Sequence, residues 1–259
     1  MNNKIERIFI KIPPFTRYYM LAIAVITIAS KINDKKLFLD NIKLNYKKIF
    51  KNFEIWRLIT CFLYIKSFSP QMLISFYFMF KRFKSTEIKL IKQNKLAEFI
   101  MMIFYLCLFI HICNIISVYL FHRKSESYLT HHLMFAILYI NCKRYPFKNF
   151  RIRFVNMQNQ YVPYFLFIIR GMKSGVLKQL IGIIPGIIYY LFKDVLVTNG
   201  NKDYLVTPKY LIDYVQKNYY SKKKKKRVGN ENHIKENENK NNEDLKFNNN
   251  SNNNKEKID

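Results

Sequence analysis

The sequence predicts an all-α polytopic membrane protein, a bundle of six spanning helices followed by a disordered, basic and Asn-rich tail. Three observations predict it. The 23 residues from Phe99 to Phe121 contain no Asp, Glu, Lys or Arg, and at about 1.5 Å per residue a helix of that length crosses a hydrocarbon layer of roughly 30 Å. Six apolar blocks lie between Tyr18 and Phe192, joined by short basic loops. The charge is spread along the chain, because of 44 Lys+Arg against 17 Asp+Glu the last 39 residues hold only 11 and 7. A chain half hydrophobic with a net charge of +27 is either a membrane protein with basic loops or a nucleic-acid binder with a large core. The alternation of basic loops with apolar blocks selects the first and predicts no nucleic-acid partner.

The elements follow in order. Charges and the Pro13-Pro14 pair precede the first block, and no small-residue cleavage site follows it, so insertion is expected through an uncleaved first span, Tyr18 to Ser30. The first outer loop, Lys31 to Arg57, carries Lys31, Lys35, Lys36, Lys43, Lys47, Lys48, Lys51 and Arg57. It reads as an interfacial amphipathic segment whose Lys stems lie along the membrane surface. The second block, Leu58 to Phe80, contains Lys66 and Pro70, which leaves Phe68 to Phe80 as its clean spanning core. Beyond the third block, Phe99 to Phe121, come Tyr128 to Cys142, Tyr161 to Ile169 and Val176 to Phe192.

Loop charge orients the bundle. Met1 to Pro14, Lys81 to Lys95 with six basic residues and Lys143 to Arg153 with five fall on one side, and His122 to Ser127 and Arg170 to Lys178 with two and three on the other. Positive-inside then puts both termini in the cytosol, with the first outer loop, Lys31 to Arg57, and its eight basic residues as the exception. The expected organisation is a cytosolic N-terminus over 1–14, a membrane domain over 15–197, a juxtamembrane segment over 198–220 and the tail over 221–259. Cys61, Cys107, Cys113 and Cys142 all lie in apolar blocks without CxxC spacing and read as buried free thiols. In the tail the unbroken basic run Lys222 to Arg227 precedes 32 residues of which 12 are Asn. That composition cannot offset the cost of ordering, and the run suits anionic cytosolic lipid.

Five motifs occur in a fixed order. Pro13-Pro14-Phe15-Thr16-Arg17 opens the first span, and Phe53-Glu54-Ile55-Trp56-Arg57-Leu58 opens the second block. Gln158-Asn159-Gln160-Tyr161-Val162-Pro163-Tyr164 follows, then Gly182-Ile183-Ile184-Pro185-Gly186 running into Tyr189-Tyr190, then Thr207-Pro208-Lys209-Tyr210-Leu211. Together they resemble the Derlin (Der1-like) family, rhomboid-fold pseudoproteases of the endoplasmic reticulum, over roughly residues 9 to 213. The resemblance implies a rhomboid-like six-helix bundle in the endoplasmic reticulum membrane. It implies a component of ER-associated degradation that helps misfolded proteins reach the cytosol. The terminal Lys255-Glu256-Lys257-Ile258-Asp259 also resembles a lysine-based retrieval signal.

The motif residues also have physical readings. Trp56 and Arg57 ahead of an apolar run suit the interface, with an indole holding one wet edge and a guanidinium that forks hydrogen bonds to phosphate or carbonyl oxygens. The family resemblance adds that the pair braces the first loop against the bundle. Gly182 and Gly186, one turn apart, let a neighbouring helix approach, while Pro185 between them deletes a backbone N–H and should kink the helix or free the Ile181 carbonyl. Pro14, Arg17, Pro163, Tyr189 and Tyr190 complete the candidate motif residues.

Active rhomboid proteases carry a Ser in a GxSG turn on the fourth span and a His on the sixth, three residues before the glycine pair. This chain has Gln179 at the His position and no His from Leu133 to Asn232. The fourth block opens Thr130-His131-His132, so a residual intramembrane protease using Thr130 with His131 or His132 is one alternative. A multi-span transporter or channel is another. Cys107, His111 and Cys113 cannot converge on one metal from a straight helix, because Cys113 is rotated away from the other two. No catalytic residue, cofactor or metal is expected.

Spans as short as 9 to 15 apolar residues cannot match the hydrocarbon layer unless the bilayer thins or the helices tuck into the bundle. Arg17, Lys66, Gln158, Gln160, Arg170, Lys173 and Lys178 at their edges would draw water and headgroups inward. Thin, wet membrane lowers the barrier for a polar polypeptide. The partners that the resemblance implies are misfolded clients, an ER ubiquitin ligase complex, a cytosolic AAA segregase, membrane lipids, and other copies or relatives in a homo- or hetero-oligomer. The Phe-x-Gly-x-Gly box that recruits the segregase is missing from the sequence, since Gly229 is the one glycine after Tyr220, so recruitment is expected through an adaptor.

Overall fold

Two helices set the frame, and both are apolar on more than one face. In the computed structural model, which describes residues 12–32, 35–65, 70–121, 126–152, 155–200 and 202–221, the longest is α6 (Leu96–Phe121; labels follow chain order). One stripe of it is buried through Phe99, Ile103, Leu106, Ile110, Asn114 and Ser117, while Phe104, Leu108, Ile112 and Ile116 are exposed at four-residue spacing. A helix with large apolar side chains on its outer face is matched to lipid rather than water. The second is α9 (Val176–Tyr190), which runs on through a π-helical turn at Leu191–Val195 into α10 (Leu196–Thr198). Among the described residues, Leu96–Leu120 and Val176–Thr198 are long and apolar enough to cross a membrane, and Pro14–Ser30 is a shorter apolar helix.

The remaining elements pack around these. The chain enters at α1 (Pro14–Ile32), crosses the first loop as α2 (Lys35–Ile42), α3 (Tyr46–Asn52) and the single turn α4 (Arg57–Thr60), and then forms α5 (Pro70–Lys92). Sequence reasoning treats Lys81 to Lys95 as a loop, and here the structure differs. The helix continues to Lys92 because Met79, Phe83, Glu87 and Leu90 are buried on one stripe with Arg82 buried beside them, while Lys81 and Lys92 stay exposed on the other side. Asn94 then turns left-handed at φ 58°, and Lys95 N–H and Asn94 N–H bond back to the carbonyls of Leu90 and Ile91 at 2.8 and 3.1 Å. This is a Schellman stop, in which Asn takes the place glycine usually holds.

Helix α7 (Thr130–Arg144) lies at the centre, with twelve of its fifteen residues buried. It packs against α5, α6, α8 and α9. After it, β1 (Asn149–Ile152) and β2 (Val155–Gln158) form an antiparallel hairpin with Asn149 opposite Gln158. A 3₁₀ turn at Asn159–Tyr161 leads into α8 (Val162–Ser174). Buried Asn159 fixes this entry, since its N–H bonds to the Lys148 carbonyl at 2.9 Å and its amide to the Tyr145 carbonyl at 3.0 Å. Pro163, in the first turn of α8, needs no intrahelical donor there. The described residues up to Val206 form one compact unit, and a second begins at Thr207 with α11 (Lys209–Val215) and a π-helical turn at Gln216–Tyr220. Lys66, His122, the basic residues of the N-terminus and the run Lys222 to Arg227 lie outside the described residues.

Candidate functional site: a braced loop and a glycine seam around a short buried helix

Arg57 closes the first loop from inside. Its side chain is 1% exposed, and it donates to the Asp40 carbonyl, to the Lys43 carbonyl at 2.9 Å and to the Glu54 carboxylate. Three acceptors from three stretches of chain use the planar fork of donors that only a guanidinium offers. The Arg57 bond, with a second from the Asn52 amide, holds the Glu54 carboxyl below its ordinary value of 4.5. In the same way the Lys43 ammonium, 2.5 Å away, lowers Asp40. Trp56 points the other way and is 54% exposed, beside exposed Phe50, Phe53, Ile55 and Ile59. The two adjacent residues therefore divide the work, one binding the loop together and one presenting it outward.

The closed loop is tied to the bundle at three levels. Tyr46 OH lies 3.3 Å from Nδ1 of His111 and receives the Asn114 amide at 3.2 Å. His111 Nε2 lies 3.1 Å from the Leu58 carbonyl. A carbonyl only accepts, so this nitrogen carries the proton and Nδ1 is left to accept from Tyr46. Asn114 also bonds in both directions to the Glu126 backbone, at 3.1 and 3.4 Å. Finally the backbone pairs directly with the entry to α7, Leu44 N–H to the Ser127 carbonyl at 3.0 Å and Leu129 N–H to the Cys61 carbonyl at 2.9 Å. Sequence reasoning weighed His111 as a metal ligand and did not single out Asn114. The signal for both is a polar side chain inside an otherwise apolar span, which needs a partner.

Gly182 and Gly186 face α7 rather than lipid. A Cβ on Gly182 would sit 3.1 Å from the His132 Cα, and one on Gly186 would sit 2.9 Å from the Ala136 carbonyl oxygen. Both contacts are with backbone that cannot swing aside, so the two helices touch along their main chains. Helix α9 runs through buried Pro185 without a break. Farther along, Tyr189 is buried and the Tyr190 ring meets Tyr139 edge-on at 6.4 Å. The Arg144 guanidinium at the end of α7 spans from the Tyr189 ring, 6.0 Å from its centroid, to both oxygens of Asp194 at 3.0 and 3.2 Å.

Thr130 is buried, and its hydroxyl donates to the Tyr64 carbonyl at 2.7 Å. That proton is committed to a backbone acceptor rather than to an imidazole, and His132 packs against Gly182. Lys178, expected among the residues that wet the bundle's edge, pairs with Glu126 at 3.0 Å, and Gln160 bonds to Gln158 at 2.8 Å.

One feature of the entry to α1 escapes sequence reasoning. The N–H groups of Phe15 and Thr16 and the Thr16 hydroxyl all donate to the buried Glu87 carboxylate, at 2.8, 2.8 and 2.6 Å. A carboxylate on α5 thus caps a helix some seventy residues earlier, meeting the free donors and the positive end of the dipole. Pro14 begins this capped turn, and Arg17 lies one turn along it, 5.4 Å from the Tyr18 ring centroid. The available signal is that Glu87 is the single acidic residue between Glu54 and Glu98.

A family model for the Der1-like family matches residues 12–209. The chain is 24% identical to Derlin-2.1 of Zea mays over 218 residues, which covers 82% of this chain and 86% of the relative. Derlin-2 of Oryza sativa subsp. japonica matches at the same identity and coverage. The probable derlin-1 homolog of Dictyostelium discoideum is 27% identical over 217 residues, 81% of this chain and 84% of the relative.

Proposed function

The chain belongs to the Der1-like family, and from that membership we propose a non-catalytic component of ER-associated degradation that helps misfolded proteins leave the endoplasmic reticulum for the cytosol. It does so as a rhomboid-like bundle of six membrane helices with both termini in the cytosol. The observation that carries the mechanism is the mismatch of helix lengths. Helix α8 has 13 residues, about 20 Å at the helical rise, beside an α6 of 26 residues. Lipid against α8 has to thin or admit water to meet it, and that lowers the barrier for a polar chain. Arg57 holds the first loop closed against α6 and the entry to α7, with Trp56 presented outward from it, and Gly182 and Gly186 hold the last span on α7. A ubiquitin ligase complex and a cytosolic AAA segregase supply selection and force, the segregase through an adaptor.

The commitment of the Thr130 hydroxyl to Tyr64 supports the non-catalytic reading. The test is clearance of a misfolded lumenal reporter in cells depleted of this protein. Clearance should slow on depletion and recover on re-expression, and the purified protein should stay unlabelled by a rhomboid-directed activity probe. Unchanged clearance on depletion, or specific labelling lost on Thr130→Ala, would overturn the proposal.

A further inference from the structure

The end of the bundle where α5 stops and α6 starts holds a polar cleft of about 410 Å³, walled also by the end of α7, by the π-helical turn and α10 that follow α9, and by Asp203. It has the volume of a small-molecule site, roughly 300–1,000 Å³. Four cations and three carboxylates line it. Arg144 is matched to Asp194, Lys193 to Asp203 at 2.5 Å, and Lys95 to Glu98 at 3.4 Å. Lys89 is the fourth cation. Its ammonium lies 3.2 Å from the Asn141 amide oxygen and 3.2 Å from the centroid of the Tyr145 ring, and it has no carboxylate partner among the described residues. Asn141 is itself oriented by the Thr86 hydroxyl at 2.5 Å, so the ammonium is held in a fixed position with charge to spare.

These groups define a ligand chemistry. An anion is needed to neutralise Lys89, and hydroxyl donors are needed to use the remaining lone pairs of Asp194, Asp203 and Glu98. A phosphorylated polyol has both. Basic pockets between membrane helices are also where phosphorylated headgroups bind. We propose that this cleft binds a phosphomonoester on a polyhydroxylated ring, with Lys89 contacting the phosphate and the carboxylates accepting from ring hydroxyls. The ring is either a phosphoinositide headgroup or a soluble inositol phosphate. The proposal uses only the cleft and the membrane setting, so it stands or falls apart from the retrotranslocation reading.

The full chain in detergent is titrated with dioctanoyl phosphatidylinositol 4-phosphate, dioctanoyl phosphatidylinositol and inositol 1,4-bisphosphate. The phosphorylated lipid should bind saturably and raise the melting temperature, and removing its phosphomonoester should weaken binding about tenfold, as expected for a lost charge-assisted contact. Lys89→Gln should have the same effect, and Lys89→Arg should restore most of the affinity. Inositol bisphosphate binding as tightly as the lipid assigns a soluble source, and tighter lipid binding assigns a membrane source. On the unaltered protein, saturating ligand should shield Lys89 from amine acylation while the lysines of the 222–227 run still react. Equal affinity with and without the phosphomonoester would overturn the proposal. So would acylation of Lys89 unaffected by ligand, or binding abolished only when the 222–227 run is neutralised.

Discussion

Removing the Arg57 guanidinium leaves the Asp40 and Lys43 carbonyls without their donor inside a closed loop, and each charge-assisted bond is worth roughly 1.5–3 kcal/mol. Arg57→Ala should therefore open the loop and speed tryptic cleavage after Lys43, Lys47 and Lys48, whose side chains already reach solvent but whose backbone is held, with Arg57→Lys intermediate because an ammonium cannot fork to three acceptors. An unchanged digest would remove the brace. Trp56 is the only tryptophan of the chain, so its fluorescence reports this loop directly. Glu54 is lowered from its ordinary 4.5, chiefly by the Arg57 bond. Its contribution is then complete above that value and fades as pH falls through the lower folded-state value. Trp56 emission should stay constant from neutrality to about pH 5 and shift only in stronger acid; a transition near pH 6–7 would assign the loop's stability to another group. The sequence alone shows Trp56 and Arg57 as an interface pair. It does not show which oxygens the guanidinium takes, because Asp40 and Lys43 present backbone carbonyls, and any residue has those.

Helix seams read the same way, half legible and half not. Gly182 and Gly186 announce a close helix approach by their spacing, but the partner, α7, is announced by nothing in its own small-residue pattern. It presents His132, Phe135, Ala136 and Tyr139 to the glycines, and the approach is made by backbone. Likewise the six basic residues of Lys81 to Lys95 conceal a helix, since the buried stripe of Met79, Phe83, Glu87 and Leu90 includes a carboxylate whose role depends on α1. The seam makes a graded prediction. A methyl on Gly186 would meet the Ala136 carbonyl at 2.9 Å, whereas one on Gly182 would meet His132 at 3.1 Å. Gly186→Ala should destabilise by about 1–3 kcal/mol, in the range of overpacking, and Gly182→Ala by less. Melting in a fixed detergent measures both. Equal, negligible effects would mean the helices are not in main-chain contact.

At the scale of the whole molecule, the short helices are not equivalent. Helix α7 is only 15 residues, about 22 Å long, yet almost all of it is covered by protein, so its length makes no demand on lipid. Helix α8 is shorter still, and Tyr164, Ile168 and Met172 form an exposed stripe along one face of it. On α6 the exposed stripe extends from Phe104 to Tyr119 and Leu120. A bilayer around this chain meets a tall apolar wall at α6 and a low one at α8, so deformation should be local rather than uniform. Imaged in lipid nanodiscs, the hydrocarbon layer should be thinner beside α8 than beside α6 by several ångströms. Chain length supplies the second arm, because the cost of mismatch rises with bilayer thickness. The melting temperature should fall as acyl chains lengthen, and substituting Ile168 and Met172 with Ser should shrink that dependence by letting water meet the stripe. A uniform bilayer with no dependence on chain length would mean that α8 is shielded in the assembled protein, and would overturn the proposed thinning of lipid along its low side.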